Sequence, residues 1–167
     1  MRLLFPDLYY KNVQSISLDD LKEKNIHGLI LDVDNTLIDF HKVMPEGIKE
    51  WVKKAKEMEM KICILSNTNN IKKIQKVSNE LQIPYIGFAK KPFKQGFIKV
   101  IELLGLKSEN IAVIGDQLFT DILGGNRMKM TSIFVEPIDS KDIIVTRIKR
   151  PIERLILKYY LKKQKKK

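Results

Sequence analysis

The chain reads as an α/β protein. Two observations carry that reading: short apolar runs alternate with longer segments of helical period, and polar residues gather directly behind each run. Such alternation predicts right-handed crossovers and a mostly parallel central sheet in a three-layer sandwich, with ligands bound at the carboxyl ends of the strands. A capped short helix comes first, at Ser17-Leu-Asp-Asp-Leu-Lys-Glu23. Leu29-Ile-Leu31 is the first strand, and the next helix runs from about Pro45 to Met60, with Ile48, Trp51, Val52 and Ala55 at helical spacing. Ile62 to Leu65 is a strand, and Asn69 to Leu81 a helix with Ile71, Ile74, Val77 and Leu81 on one face. Tyr85 to Phe88 follows Pro84 as a short strand, and Phe93 to Leu104 is a helix that ends at Gly105. Ile111 to Ile114 is a further strand, Thr120 to Leu123 a short helical piece before Gly124-Gly125, and Ser132 to Val135 the last strand.

Length and composition fit this picture. The 167 residues match one domain on a prior of roughly 100 to 200 residues per domain. With 44% hydrophobic and 31% charged residues the chain can bury a core, which excludes disordered and collagen-like classes. Its longest apolar stretches fall far short of the roughly 20 residues that a spanning helix needs. The opening Met1-Arg-Leu-Leu-Phe5 runs straight into Pro6-Asp7, unlike a secretory signal, so the expected location is the cytoplasm. The single cysteine, Cys63, sits in an apolar run and reads as a buried inert thiol.

Charge divides the chain in two. Of the formal +11, residues 147–167 carry +9, from ten Lys or Arg against Glu153, and residues 1–146 net only +2. The expected organisation is a nearly neutral globular domain over 1–146 and a basic amphipathic helix with a lysine tail over 147–167. Ile148, Ile152, Leu155, Ile156 and Tyr159 recur at helical spacing, Lys149, Arg154, Lys158 and Lys162 point elsewhere, and Pro151 marks the first turn. Three uses compete for this segment: docking on its own domain, lying on anionic lipid at the inner face of a membrane, or binding nucleic acid. Nucleic acid has the least support, since no interleaved aromatic platform accompanies the lysines.

Behind the strands come Asp32-Val-Asp34-Asn-Thr36, Ser66-Asn-Thr68, Lys90-Lys91-Pro92 and Gly115-Asp116, with Asp121 five residues further on. Singly, each is ordinary turn and cap chemistry. Together they supply carboxylates from two strand ends for a hard cation, a hydroxyl and an ammonium for an oxyanion, and a carboxylate able to act as nucleophile. Because strand side chains alternate, Asp32 and Asp34 leave one strand end in related directions while Val33 packs away. Such negative charge requires a cation, and Mg²⁺ suits a site of few carboxylates and a substrate phosphate.

These four strings, in this order, resemble the four motifs of haloacid dehalogenase-like (HAD) phosphatases. The longer strings Asp34-Asn-Thr-Leu37, Gly115-Asp-Gln-Leu-Phe-Thr-Asp121 and Gly124-Gly-Asn126, with the Pro6-Asp-Leu-Tyr9 opening, resemble the capless, subfamily IIIA branch of YqeG type, related to mitochondrial phosphatidylglycerophosphate phosphatases. The resemblance implies a Rossmann-like, HAD-like fold. It implies that Asp32 is the nucleophile, that Asp34 is the general acid, and that Asp32, the main-chain carbonyl of Asp34 and Asp116 bind Mg²⁺. Ser66 and Lys91 would hold phosphoryl oxygens, with Asn67 as a further phosphate contact, and Asp121 would orient Lys91 or a metal-bound water. Lys91 is preferred to Lys90 because the family's lysine commonly precedes a proline.

Family members select substrates with inserted caps, and neither gap here has room for one. An open site favours phosphate on something large, such as a lipid headgroup, and a polybasic helix could hold the mouth against anionic lipid. Phosphatidylglycerophosphate is the leading substrate on this reading. A soluble phosphomonoester, or an RNA- or ribosome-associated assembly role for the tail, are the alternatives.

Overall fold

Gly28–Leu31 (β2), Lys61–Leu65 (β3) and Ile111–Gly115 (β5) are apolar runs covered by helices on both faces, the pattern expected of central parallel strands. The computed structural model of the protein describes residues 2–139 and 144–164. Three further strands complete the sheet: Leu8–Tyr10 (β1), Tyr85–Ile86 (β4) and Thr131–Val135 (β6). The order is β1-β6-β5-β2-β3-β4 and every pairing is parallel.

The period-2 alternation of the strands sorts the core into two layers. Leu29, Leu31, Ile62, Ile64, Ala112 and Ile114 face the helices Leu18–Glu23 (α1), Ile48–Glu57 (α2) and Ile71–Leu81 (α3). Ile30, Cys63, Leu65 and Val113 face Phe97, Val100 and Leu104 of Lys94–Leu104 (α4). Local signals set the helix ends: Ser17 Oγ accepts from Asp20 N–H (3.1 Å), Asn70 Oδ1 accepts from Lys73 N–H (3.1 Å), and Gly105 ends α4 in the left-handed region. Trp51, on a helix face as its spacing predicts, is buried and donates its indole N–H to Ile16 O (2.9 Å).

The structure departs from the sequence reading in four places. β1 adds an edge strand that its three half-buried residues do not announce. The strand after Pro84 is only Tyr85–Ile86, because the chain turns away where Phe88 takes a positive φ. The helical piece starts earlier and ends later than expected: a π-helical turn, Leu118–Ile122, leads into Leu123–Arg127 (α5), so the glycine pair lies inside the helix. Packing is the reason, since a Cβ on Gly124 would lie 2.4 Å from the Phe97 ring and one on Gly125 2.1 Å from Val113. Finally, the C-terminal helix is Ile144–Gln164 (α6), and Pro151 lies inside it, not in its first turn.

Helix α6 docks with one face. Ile156 and Leu157 pack on Leu118, Ile122 and Phe134, the Tyr160 ring lies 5.8 Å from that of Phe5, and Glu153 Oε1 accepts from Phe119 N–H (3.2 Å). Ile152, Leu155 and Tyr159 remain exposed. The side chains of Ile148 and Lys149 and the terminal Lys165 to Lys167 lie outside the described residues.

Candidate active site

The strand order β5-β2-β3-β4 sets four carboxyl ends side by side, and the connections after β2 and β5 leave in opposite directions, to β3 and β6, so the usual ligand crevice of such a sheet falls between them. Leu31 pairs with both Ile64 and Ile114, so Asp32 lies level with Leu65 and Gly115, and Ser66 and Asp116 follow one residue later. The main chain holds Asp32 through its N–H to Ile114 O (3.0 Å).

Lys91 is the buried cation of the site, and Lys90 beside it is exposed. Its ammonium donates to Asp32 Oδ1 (2.5 Å) and Leu65 O (2.7 Å) and forms an ion pair with Asp121 Oδ1 (2.7 Å), so three oxygens surround its charge. Asn67 fixes this lysine from behind. Its Oδ1 accepts from Lys91 N–H (2.6 Å) and its Nδ2 donates to Lys91 O (3.0 Å), so the side chain offered above as a phosphate contact is committed to the Lys91 main chain. Ser66 is buried, its Oγ accepting from Thr68 N–H (3.2 Å).

Asp121 comes in from the π-helical turn, and its Oδ2 accepts from Gln117 N–H (3.2 Å) and Thr120 Oγ1 (3.4 Å). Gly115 makes the approach possible, because a Cβ there would lie 2.3 Å from Asp121 Cγ. Thr36 Oγ1 donates to Asp116 Oδ1 (3.3 Å), tying the turn after β2 to the end of β5.

Asp32, Asp116 and Asp121 are all buried, and one carboxylate oxygen of each lies within 4.8 Å of the others. Burial, the largest cause, together with the nearby Asp121 and Asp34 charges outweighs the pull of Lys91 and pushes the Asp32 carboxyl up to about 7. Burial works to lower the Lys91 ammonium, but Asp121 and Asp32 outweigh it and hold the group above the ordinary lysine range. Asp32 Oδ2 finds no hydrogen-bond partner among the described residues, whereas Asp121 Oδ1, without a well-directed hydrogen bond, still has its ion pair with Lys91. An orphaned buried carboxylate oxygen is costly, and three converging carboxylates are the donor set of a hard divalent cation.

Asp34 stands apart from this cluster. It lies on the turn Val33–Ile38, is a third exposed, and pairs through Oδ1 with Lys73 Nζ at 2.5 Å. Sequence reasoning passed over Lys73. The available signal was a lysine in the first turn of a helix that has no acidic residue there, against the preference of the helix dipole.

Comparison with known proteins gives the family. Residues 1–139 match a family described as mitochondrial PGP phosphatase. The chain is 41% identical over 158 residues to a Bacillus subtilis protein named "Probable phosphatase YqeG", covering 93% of this chain and 91% of that one. It is 26% identical over 179 residues to the chloroplastic/mitochondrial phosphatidylglycerophosphate phosphatase 1 of Arabidopsis thaliana, covering 97% of this chain and 49% of that protein. This chain therefore spans about half the length of the plant relative. Among solved structures, a HAD phosphatase from Thermococcus onnurineus shares the fold with a TM-score of 0.51 at 20% identity, over 61% of this chain and 50% of that one. A family match over most of the chain and a bacterial relative of nearly equal length place it: the chain belongs to the mitochondrial PGP phosphatase family and is a YqeG-type, HAD-like phosphatase.

Proposed function

We propose that the protein is a Mg²⁺-dependent phosphomonoester hydrolase that works through an aspartyl-phosphate on Asp32 and converts phosphatidylglycerophosphate to phosphatidylglycerol. The observation that carries the chemistry is Asp32 Oδ2, without a hydrogen-bond partner among the described residues and buried among carboxylates beside the Lys91 ammonium. Asp32, Asp116 and the Asp34 carbonyl would hold Mg²⁺, whose charge lets one anion approach another. A carboxylate oxygen of Asp32 forms the bond to phosphorus as the ester P–O bond breaks, and Asp34 gives the leaving oxygen its proton. Asp34 then takes a proton from the water that attacks phosphorus; the Asp32–phosphorus bond breaks and inorganic phosphate leaves. Lys91 and Ser66 hold the phosphoryl oxygens in a transition state governed by position and charge, and Asn67 and Asp121 keep Lys91 in place.

Four features support a lipid substrate. The family's description and the plant relative's name both point to it. Only α2 fills the chain between Leu37 and Lys61, and only α3 that between Asn67 and Pro84, which leaves the mouth uncapped. Phe40 and Val43 on the loop after β2, and Phe88 and Phe93 on the loop after β4, are exposed along the carboxyl edge of the sheet. On α6 the exposed Ile152, Leu155 and Tyr159 stand among exposed Arg154, Lys158, Lys162 and Lys163, where each basic residue adds about 1 kcal/mol of attraction to anionic lipid. No described helix is long and apolar enough to cross a membrane, and the proposed setting is the cytoplasmic side, in peripheral contact. The docked face of α6 favours the second reading, a phosphatase of soluble phosphomonoesters. Phosphate release separates the two. With Mg²⁺ present, vesicle-borne phosphatidylglycerophosphate should be cleaved at least about tenfold faster than an aryl phosphate, and Asp32→Asn should lower both rates at least about 10³-fold. Equal rates on the two substrates would favour the second reading.

A further inference from the structure

Lys73 is placed against its local preference. It lies in the first turn of α3, where the aligned peptide dipoles disfavour a cation, yet its side chain is only 11% exposed and reaches Asp34 Oδ1 at 2.5 Å. Its N–H bonds to Asn70 Oδ1 (3.1 Å), so the root of the side chain is fixed while the stem carries the ammonium to the mouth. Asp34 remains 33% exposed, so the pair is open to solvent on the side of its carboxylate. A partly exposed ion pair of this kind adds little stability. If Asp34 protonates the leaving oxygen, an ammonium on the same carboxyl stands beside the leaving group, within about 6 Å of that oxygen once hydrogen-bond reach is added. It also competes with that oxygen for Asp34.

We propose that Lys73 selects substrates whose leaving group carries a second anionic group near the scissile ester, exchanging Asp34 for that group on binding. The inference rests on the phosphatase reading above and narrows its substrate class to phosphomonoesters with a neighbouring phosphodiester or similar anion. A three-carbon spacer between the two phosphates spans about 6 Å when extended, which matches the reach of Lys73.

Two water-soluble substrates test this without a membrane: glycerol 3-phosphate, and glycerophosphoglycerol phosphate, which adds a phosphodiester to the same leaving group. With Mg²⁺, the full chain should prefer the second substrate in kcat/KM. Lys73→Gln should shrink that preference at least about tenfold, mainly through KM, and Lys73→Arg should keep it within about threefold. Equal loss on both substrates in Lys73→Gln, or no preference in the wild type, overturns the proposal. Affinities of Asp32→Asn for the two compounds, with and without Lys73→Gln, give the same ratio independently of turnover. If the preference and its loss appear while vesicle-borne phosphatidylglycerophosphate is untouched, the lipid reading fails and the role of Lys73 stands.

Discussion

At Asp32, burial and the proposed nucleophilic role meet in one carboxyl. The group shares a single ammonium with Asp121, and burial holds it at about 7 against an unfolded value of about 3.9. Between those values the metal-free folded chain keeps a proton that the unfolded chain releases, so its stability falls as pH rises through that window. Melting temperature measured in chelator from pH 5 to 8 should therefore decline in the wild type relative to Asp32→Asn, and Mg²⁺ should flatten the decline because a bound cation favours the ionised form. Parallel curves for the two proteins would show that Asp32 does not titrate this way. Asp32 and Asp116 were legible in the sequence because each stands at the end of an apolar run, and Asp34 because it lies two residues after Asp32. Lys73 was not, since its partner lies 39 residues away and only the crossover brings α3 over the turn after β2.

Among the elements, the segment 118–127 shows how packing overrides a local signal. Two adjacent glycines ordinarily end a helix, yet here they continue it, because α5 passes so close to Phe97 of α4 and Val113 of β5 that no Cβ fits. Gly125→Ala should destabilise the protein by about 1–3 kcal/mol, read as a fall in melting temperature of roughly 2–12 °C. A melting temperature equal to that of the wild type would mean that α5 can shift away at no cost. Pro151 is the converse case. Proline commonly opens a helix, but α6 extends seven residues before it, and the contacts of Glu153, Ile156, Leu157 and Tyr160 outweigh the one backbone bond that proline removes.

Across the whole molecule, α6 joins the two halves of the functional proposal. Its inner face binds the segment just after Asp116, through Glu153 to Phe119, and its outer face presents Ile152, Leu155 and Tyr159 with the lysines. Reversing charge on the outer face leaves the docked contacts alone. Lys158→Glu with Lys162→Glu should lower partitioning onto anionic vesicles at least about tenfold at low salt, and added salt should weaken wild-type binding in the same assay. Vesicle binding unaffected by either change would remove α6 from the membrane proposal.

The sequence by itself determined the alternation of strands and helices, the apolar faces, and the acidic and basic residues behind each strand, because these follow from side-chain period and turn chemistry along a local stretch. Only the tertiary structure decided which groups meet. The parallel order β5-β2-β3-β4 brings Asp116, Asp32, Ser66 and Lys91 to one edge, leaves Asp32 Oδ2 without a donor among the described residues, commits Asn67 to the Lys91 backbone and sets Lys73 on Asp34. Burial and charge pairing at such a site depend on distances between residues far apart in the chain, which local pattern does not contain.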